Sequence, residues 1–101
     1  MEAERQEMLI IAMLTRYFLA LFKLTDLRGS TDRADVAKRA GIPMFAVGDH
    51  MEALDRLGAA RVERALMLLV KADATIKSSS SDALTVLQTA LSQILEPVTA
   101  R

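Results

Sequence analysis

The side chains whose types and spacing could support chemistry are few. His50 sits between Asp49 and Met51, and Glu52 follows Asp49 by three residues, so the two carboxylates share one helix face. Paired carboxylates on a common face are what general acid–base catalysis needs. Solvated helices carry the same spacing routinely, and no cysteine or well-placed serine accompanies this imidazole. The expected roles are therefore a surface or half-buried histidine beside solvated acids. Asp73 and Lys77 stand four apart with the acid first, the favourable order for a helix ion pair. The four glycines (Gly29, Gly41, Gly48, Gly58) are dispersed and none precedes a Lys-Ser or Lys-Thr pair, which excludes a glycine-rich phosphate loop. Absence of cysteine excludes disulfides and thiolate metal sites, and one histidine is too few for a histidine metal cluster. No catalytic residue, no metal and no cofactor is expected.

One pattern points elsewhere. From Asp35 to Leu54 the chain reads as a short helix, the turn Gly41-Ile42-Pro43, and a second helix. Ala37, Gly41 and Val47 occupy the small, turn and core positions of a DNA-binding helix–turn–helix, a pattern that structural hairpins also use. A recognition helix presents Arg, Lys, Asn or Gln to base edges from its N-terminal half. Here that half is Pro43-Met44-Phe45-Ala46-Val47-Gly48-Asp49, and from Pro43 to Leu57 Asp49, Glu52 and Asp55 face only Arg56. Acids repel phosphates, so a packing hairpin is the better reading, with a small DNA-binding transcriptional regulator as the alternative.

The elements that must position these residues are all helical. The 101 residues suit one domain, 1–101. They are 51% hydrophobic and 26% charged, and 13 basic residues balance 13 acidic ones. A free-standing nucleic-acid binder would show a basic excess, whereas this apolar load in a small domain implies surface reserved for partners. The apolar positions follow helical spacing and predict five helices. The first runs from about Glu4 to Leu27, stopped near Gly29. The second, about Asp32 to Ala40, is capped by Ser30 or Thr31 and closed by Gly41. The third starts at Pro43 and continues to Leu57 with Gly48 as a weak point. The fourth spans Ala59 to Lys77. The fifth is capped by Ser81, after the serine run Ser78 to Ser81, and ends at Pro97.

The first helix is apolar over more than one face: Ile10, Ile11, Met13, Leu14, Tyr17, Phe18, Leu21, Phe22 and Leu24. Such a helix must be buried on nearly all sides, and four short neighbours leave part of it for another chain. Met8 to Leu24 approaches membrane-spanning length but contains Arg16 and Lys23, and the acids Glu2, Glu4 and Glu7 precede it in place of a signal peptide's basic start. A buried or interfacial helix, no membrane and a cytoplasmic location are expected.

Four stretches, in order, resemble one family. Leu68-Leu69-Val70-Lys71-Ala72-Asp73-Ala74-Thr75-Ile76-Lys77 is similar to the last-but-one helix of the delta subunit of bacterial DNA polymerase III: a leucine run, a small-plus-acidic pair, and a lysine four residues on. Ala12 to Phe18, with Arg16 before an aromatic, resembles that family's opening C-terminal helix. Val36 to Pro43, followed by Phe45 and Val47, resembles its hairpin, and Leu84 to Leu95 its closing helix. The resemblance covers about Met8 to Leu95, with Gly48 and the serine run as departures. It implies the collar domain of a clamp-loader subunit, an all-α, five-helix bundle with a helix–turn–helix-like hairpin. Such collars assemble five subunits into a ring within the DNA polymerase III holoenzyme. The other subunits would be the partners and DNA would be met only indirectly. The sliding clamp would be contacted by a domain absent here, so the chain reads as a fragment without catalytic activity. Tyr17, Phe18, Leu21, Phe22, Leu87 and Leu91 are the candidate interface residues, each with core packing as its other possible role.

Overall fold

The computed structural model describes residues 2–78 and 82–96, the first three as backbone only. It contains α1 (Glu2–Thr25), α2 (Arg33–Ala40), a 3₁₀ turn (Met44–Ala46), α3 (Val47–Leu57), α4 (Ala59–Ser78) and α5 (Ala83–Leu95), with no strand among the described residues. The all-α, five-helix architecture is the expected one. The helix ends differ in instructive ways.

α1 stops at Thr25, and a turn over 26–29 follows, held by the Leu27 N–H to the Leu24 carbonyl (2.9 Å) and the Ser30 N–H to the Leu27 carbonyl (3.1 Å). Tightened bonds of this kind satisfy carbonyls that a helix end leaves open. Asp32, and neither Ser30 nor Thr31, caps α2. Its backbone is extended and its carboxylate accepts the Asp35 N–H at 3.2 Å, while Ser30 Oγ accepts the Asp32 N–H. Gly41 closes α2 at φ 75°. The Ile42 N–H reaches the Ala37 carbonyl (3.0 Å) and the Gly41 N–H the Lys38 carbonyl (3.3 Å), and Ile42 packs back onto the core cluster containing Ala37. These bonds and that apolar contact make up the Schellman motif.

Pro43 stands before the 3₁₀ turn in an extended conformation, so α3 proper begins at Val47 and Gly48 falls in its first turn. Glycine's full penalty belongs to a helix interior, which explains why Gly48 does not break the element. Asp82 caps α5, accepting both the N–H and the hydroxyl of Thr85 (3.2 and 2.7 Å). The expected cap, Ser81, lies outside the described residues, as does Pro97. Glu96 nevertheless adopts the extended geometry (φ −61°, ψ 134°) that a following proline imposes.

Two apolar clusters share one spine. Leu21 and Leu24 of α1 meet Val36, Ala37 and Ala40 of α2, Val47 and Leu54 of α3, and Val62 of α4. Ile11 meets Ala72 and Ile76 of α4 and Ala83, Leu87 and Ala90 of α5. The beginning of α1 thus lies against the end of α4, and the end of α1 against its start, so the two helices run antiparallel. The α2–α3 hairpin covers only the second half of α1, and α5 serves the first. An exposed ion pair, Arg28–Asp55, ties the turn after α1 to α3. The predicted Asp73–Lys77 pair forms at 3.2 Å.

The molecule measures 47 × 36 × 18 Å. A helix with its side chains is about 10–12 Å across, so the shortest dimension holds no more than two layers. The radius of gyration, 15.0 Å, exceeds the ~13 Å of a compact chain of similar length. A slab this thin cannot enclose an apolar helix. Within α1, Arg5–Thr25 is long and apolar enough by composition to cross a membrane, and 22% of it is buried in the fold. Ile11, Leu21 and Leu24, all but inaccessible, make it the spine of the bundle.

Candidate subunit interface

At 3.6 residues per turn, α1 carries two adjacent apolar stripes. Ile11, Leu14, Phe18 and Leu21 face α4 and the interior. Met13, Tyr17, Ala20 and Leu24 form the second, with Leu9 and Ile10 at its head. The hairpin covers the end of that second stripe, where Ala20 and Leu24 are buried. Its beginning is bare: Leu9 is 57% exposed, Met13 66% and Tyr17 38%. Phe22 and Leu19 are open on other sides of the helix. The corner of the hairpin adds Met44 and Phe45, the latter 87% exposed.

The Tyr17 ring is held in place. It packs edge-on against Phe18 at 5.4 Å and lies 5.1 Å from the His50 imidazole. His50 Nδ1 is 2.8 Å from the Ala46 carbonyl. A carbonyl only accepts, so Nδ1 carries the proton and donates it. The histidine is therefore a strut joining α3 to the 3₁₀ turn, and its neighbour Asp49 and the acid Glu52 are exposed. Glu52 faces Arg56 at 3.7 Å. Among the described residues no three acidic or histidine side chains converge to hold a metal.

A groove of about 490 Å³ lies between α4 and α5. Part of its polar lining is committed to the fold: Asp82 is the α5 cap, and Thr75 Oγ1 donates to the Lys71 carbonyl at 2.8 Å. The Thr85 contacts hold the Asp82 carboxyl below its ordinary value, which marks a structural acid.

The family described as DNA polymerase III delta subunit, C-terminal domain, matches residues 1–94. The chain belongs to that family. Comparison with curated proteins and with solved structures gives no match.

Within this delta C-terminal domain the six residues singled out from sequence divide into three kinds. Leu21 and Leu87 lie in the domain's own core clusters, 0% and 4% exposed, and present nothing to a neighbour. Phe18 and Leu91 are half-buried and pack against those same clusters. Tyr17 and Phe22 are open to solvent. The structure brings Tyr17 together with Met13 and His50 in one groove and leaves Phe22 apart. Leu87 and Leu91 belong to the α5 contact with α1 and α4. Sequence reasoning missed Leu9, Met13 and Phe45 as surface groups. For Met13 the signal was present, since Met13 and Tyr17 precede Ala20 and Leu24 by two helical turns on the same stripe. Nothing in the sequence says that the hairpin stops short of them.

The hairpin itself has the helix–turn–helix layout, α2 then Gly41-Ile42-Pro43 then α3, with the 3₁₀ turn interposed. The corner and α3 expose Met44, Phe45, Asp49, Glu52, Asp55 and Arg56, with Arg56 facing Glu52, while α2 exposes Arg33, Lys38 and Arg39. On the corner and α3, where a recognition helix would meet bases, the apolar and acidic groups match a protein neighbour better than a phosphate backbone.

Proposed function

We propose that this domain assembles the clamp loader of DNA polymerase III by packing its bare apolar face against neighbouring subunits, as a collar module without catalysis of its own. The observation that carries this reading is the half-covered second stripe of α1. Leu9, Ile10, Met13 and Tyr17 form a contiguous apolar surface on a slab too thin to fold over it. Contiguous exposed apolar patches of this kind mark interaction sites, and family membership supplies the context, a clamp-loader subunit acting in DNA replication. In this reading the domain is cytoplasmic, crosses no membrane, binds no cofactor, and meets DNA only through the assembly. The sliding clamp is engaged by a different domain. Tyr17 and Phe22 stay in the interface set, while Phe18, Leu21, Leu87 and Leu91 act through the fold.

The test uses the open residues, because Asp at half-buried Phe18 or Leu91 would damage the core. Met13→Asp and Tyr17→Asp should each weaken assembly with partner subunits by about thirtyfold, the effect of losing a central apolar contact worth roughly 2 kcal/mol. Helix content by circular dichroism should be unchanged. Unaltered assembly by both folded variants contradicts the reading. A DNA-binding regulator would instead bind duplex with affinity falling steeply as salt rises, so titration at two salt concentrations separates the two.

A further inference from the structure

The bare stripe of α1 ends in a groove of about 410 Å³ beneath the corner of the hairpin. Met13, Tyr17 and Ala20 line the α1 side and Ile42 and Pro43 the hairpin side. The charged groups lining it are of one sign. Arg16 and Lys23, seven residues apart and so on the same edge of α1, both line the groove and both are exposed. Neither forms an ion pair with any described residue. The other titratable groups of the lining are Tyr17 and His50, and no acid is among them. In a chain whose basic and acidic residues balance, two unpaired cations beside an apolar cleft that contains no acid are a local imbalance.

Resting on the assembly reading above, we infer that this groove receives an acidic segment of a neighbouring clamp-loader subunit. An apolar side chain of that segment lies over Met13 and Tyr17, and its carboxylates face Arg16 and Lys23. Charge complementarity fixes the sign of the partner, because opposed potentials across an interface set register and exclude wrong partners. The apolar floor fixes its class. A nucleic-acid backbone would use the two cations but gain nothing from Met13, Ile42 and Pro43, whereas an amphipathic protein segment uses both. Arg16 also offers a planar donor fork that suits a carboxylate in two-point contact.

The experiment compares the chain with Arg16→Glu/Lys23→Glu and Arg16→Gln/Lys23→Gln for binding to partner subunits and, in a separate arm, to duplex DNA. Both positions are exposed, so thermal melting should match the unaltered chain. The reversed pair should bind partner subunits at least about tenfold more weakly at ~0.1 M salt, with the gap closing as salt screens the charges. The neutral pair should fall between. Equal affinity of the reversed pair and the unaltered chain overturns the acidic occupant while leaving assembly intact. Failure of the unaltered chain to bind partner subunits at all overturns the assembly reading, and this inference with it. Loss of DNA binding by the reversed pair with partner binding retained assigns the groove to nucleic acid and also overturns it.

Discussion

Single residues fix the corners of this domain, and their effects are separable from function. Gly41 and Gly58 hold φ of 75° and 87°, and a Cβ at either would meet nothing within 4 Å. Any penalty there is one of backbone conformation alone. Gly58, with ψ 150°, occupies a region open essentially only to glycine, so Gly58→Ala should cost about 1–3 kcal/mol in chemical denaturation. Gly41→Ala, in the left-handed region, should cost about 1 kcal/mol. Equal stability of either variant would remove the glycine from the account. At Asp82 the prediction concerns pH. Thr85 lowers its pKa through its side chain and its backbone N–H. A carboxyl depressed on folding stabilises the fold above its unfolded value, 3.8, and loses that effect as pH falls through the lower folded value. Asp82→Asn keeps a capping side chain but cannot titrate. The melting difference between the two proteins should be constant above about pH 5 and change only under acid. Identical pH profiles would contradict the cap's role. At this scale the sequence was partly legible. Gly41 announced itself as a stop, but which of Ser30, Thr31 and Asp32 capped α2 depended on where the chain left the turn after α1, which composition does not encode.

Helices are where sequence and structure agree most, because periodicity reports burial directly. The five elements and the core role of α1 follow from apolar spacing, and the Asp73–Lys77 pair from the acid-first spacing of four residues. What spacing cannot report is coverage. Ile11 and Met13 are both large apolar residues near the start of α1; Ile11 is 1% exposed and Met13 is 66% exposed, because α4 and α5 pack on one side and only the open groove beneath the hairpin corner borders the other. For the same reason Leu21 and Leu87 could not be told from Tyr17 and Phe22 without knowing which helices cross them. The two clusters also predict how the domain fails. α5 alone supplies Ala83, Leu87 and Ala90 to the cluster around Ile11, so a chain ending at Ser78 exposes Ile11, Ala72 and Ile76. It should aggregate or lose helicity, as read by light scattering and circular dichroism. Leu54→Ala, in the other cluster and 0% exposed, should cost about 2–5 kcal/mol, and a cost below 1 kcal/mol would show that the hairpin docks loosely.

At the scale of the molecule, shape carries the functional reading. A chain that is half hydrophobic and folds into a slab 18 Å thick leaves apolar surface on the outside. The chain belongs to the DNA polymerase III delta C-terminal family, and in the proposed reading that surface meets neighbouring subunits. Balanced charge and the acids of α3 favour that reading over direct DNA binding. The chain has no cysteine, which permits a direct measurement of coverage. A single Met13→Cys substitution places one thiol on the bare stripe, and its rate of maleimide labelling can be followed in the free chain and in the assembled clamp loader. The account predicts rapid labelling when the chain is free and strong protection on assembly. Equal rates in the two states would mean that no subunit covers this face, and would contradict the proposal at its centre.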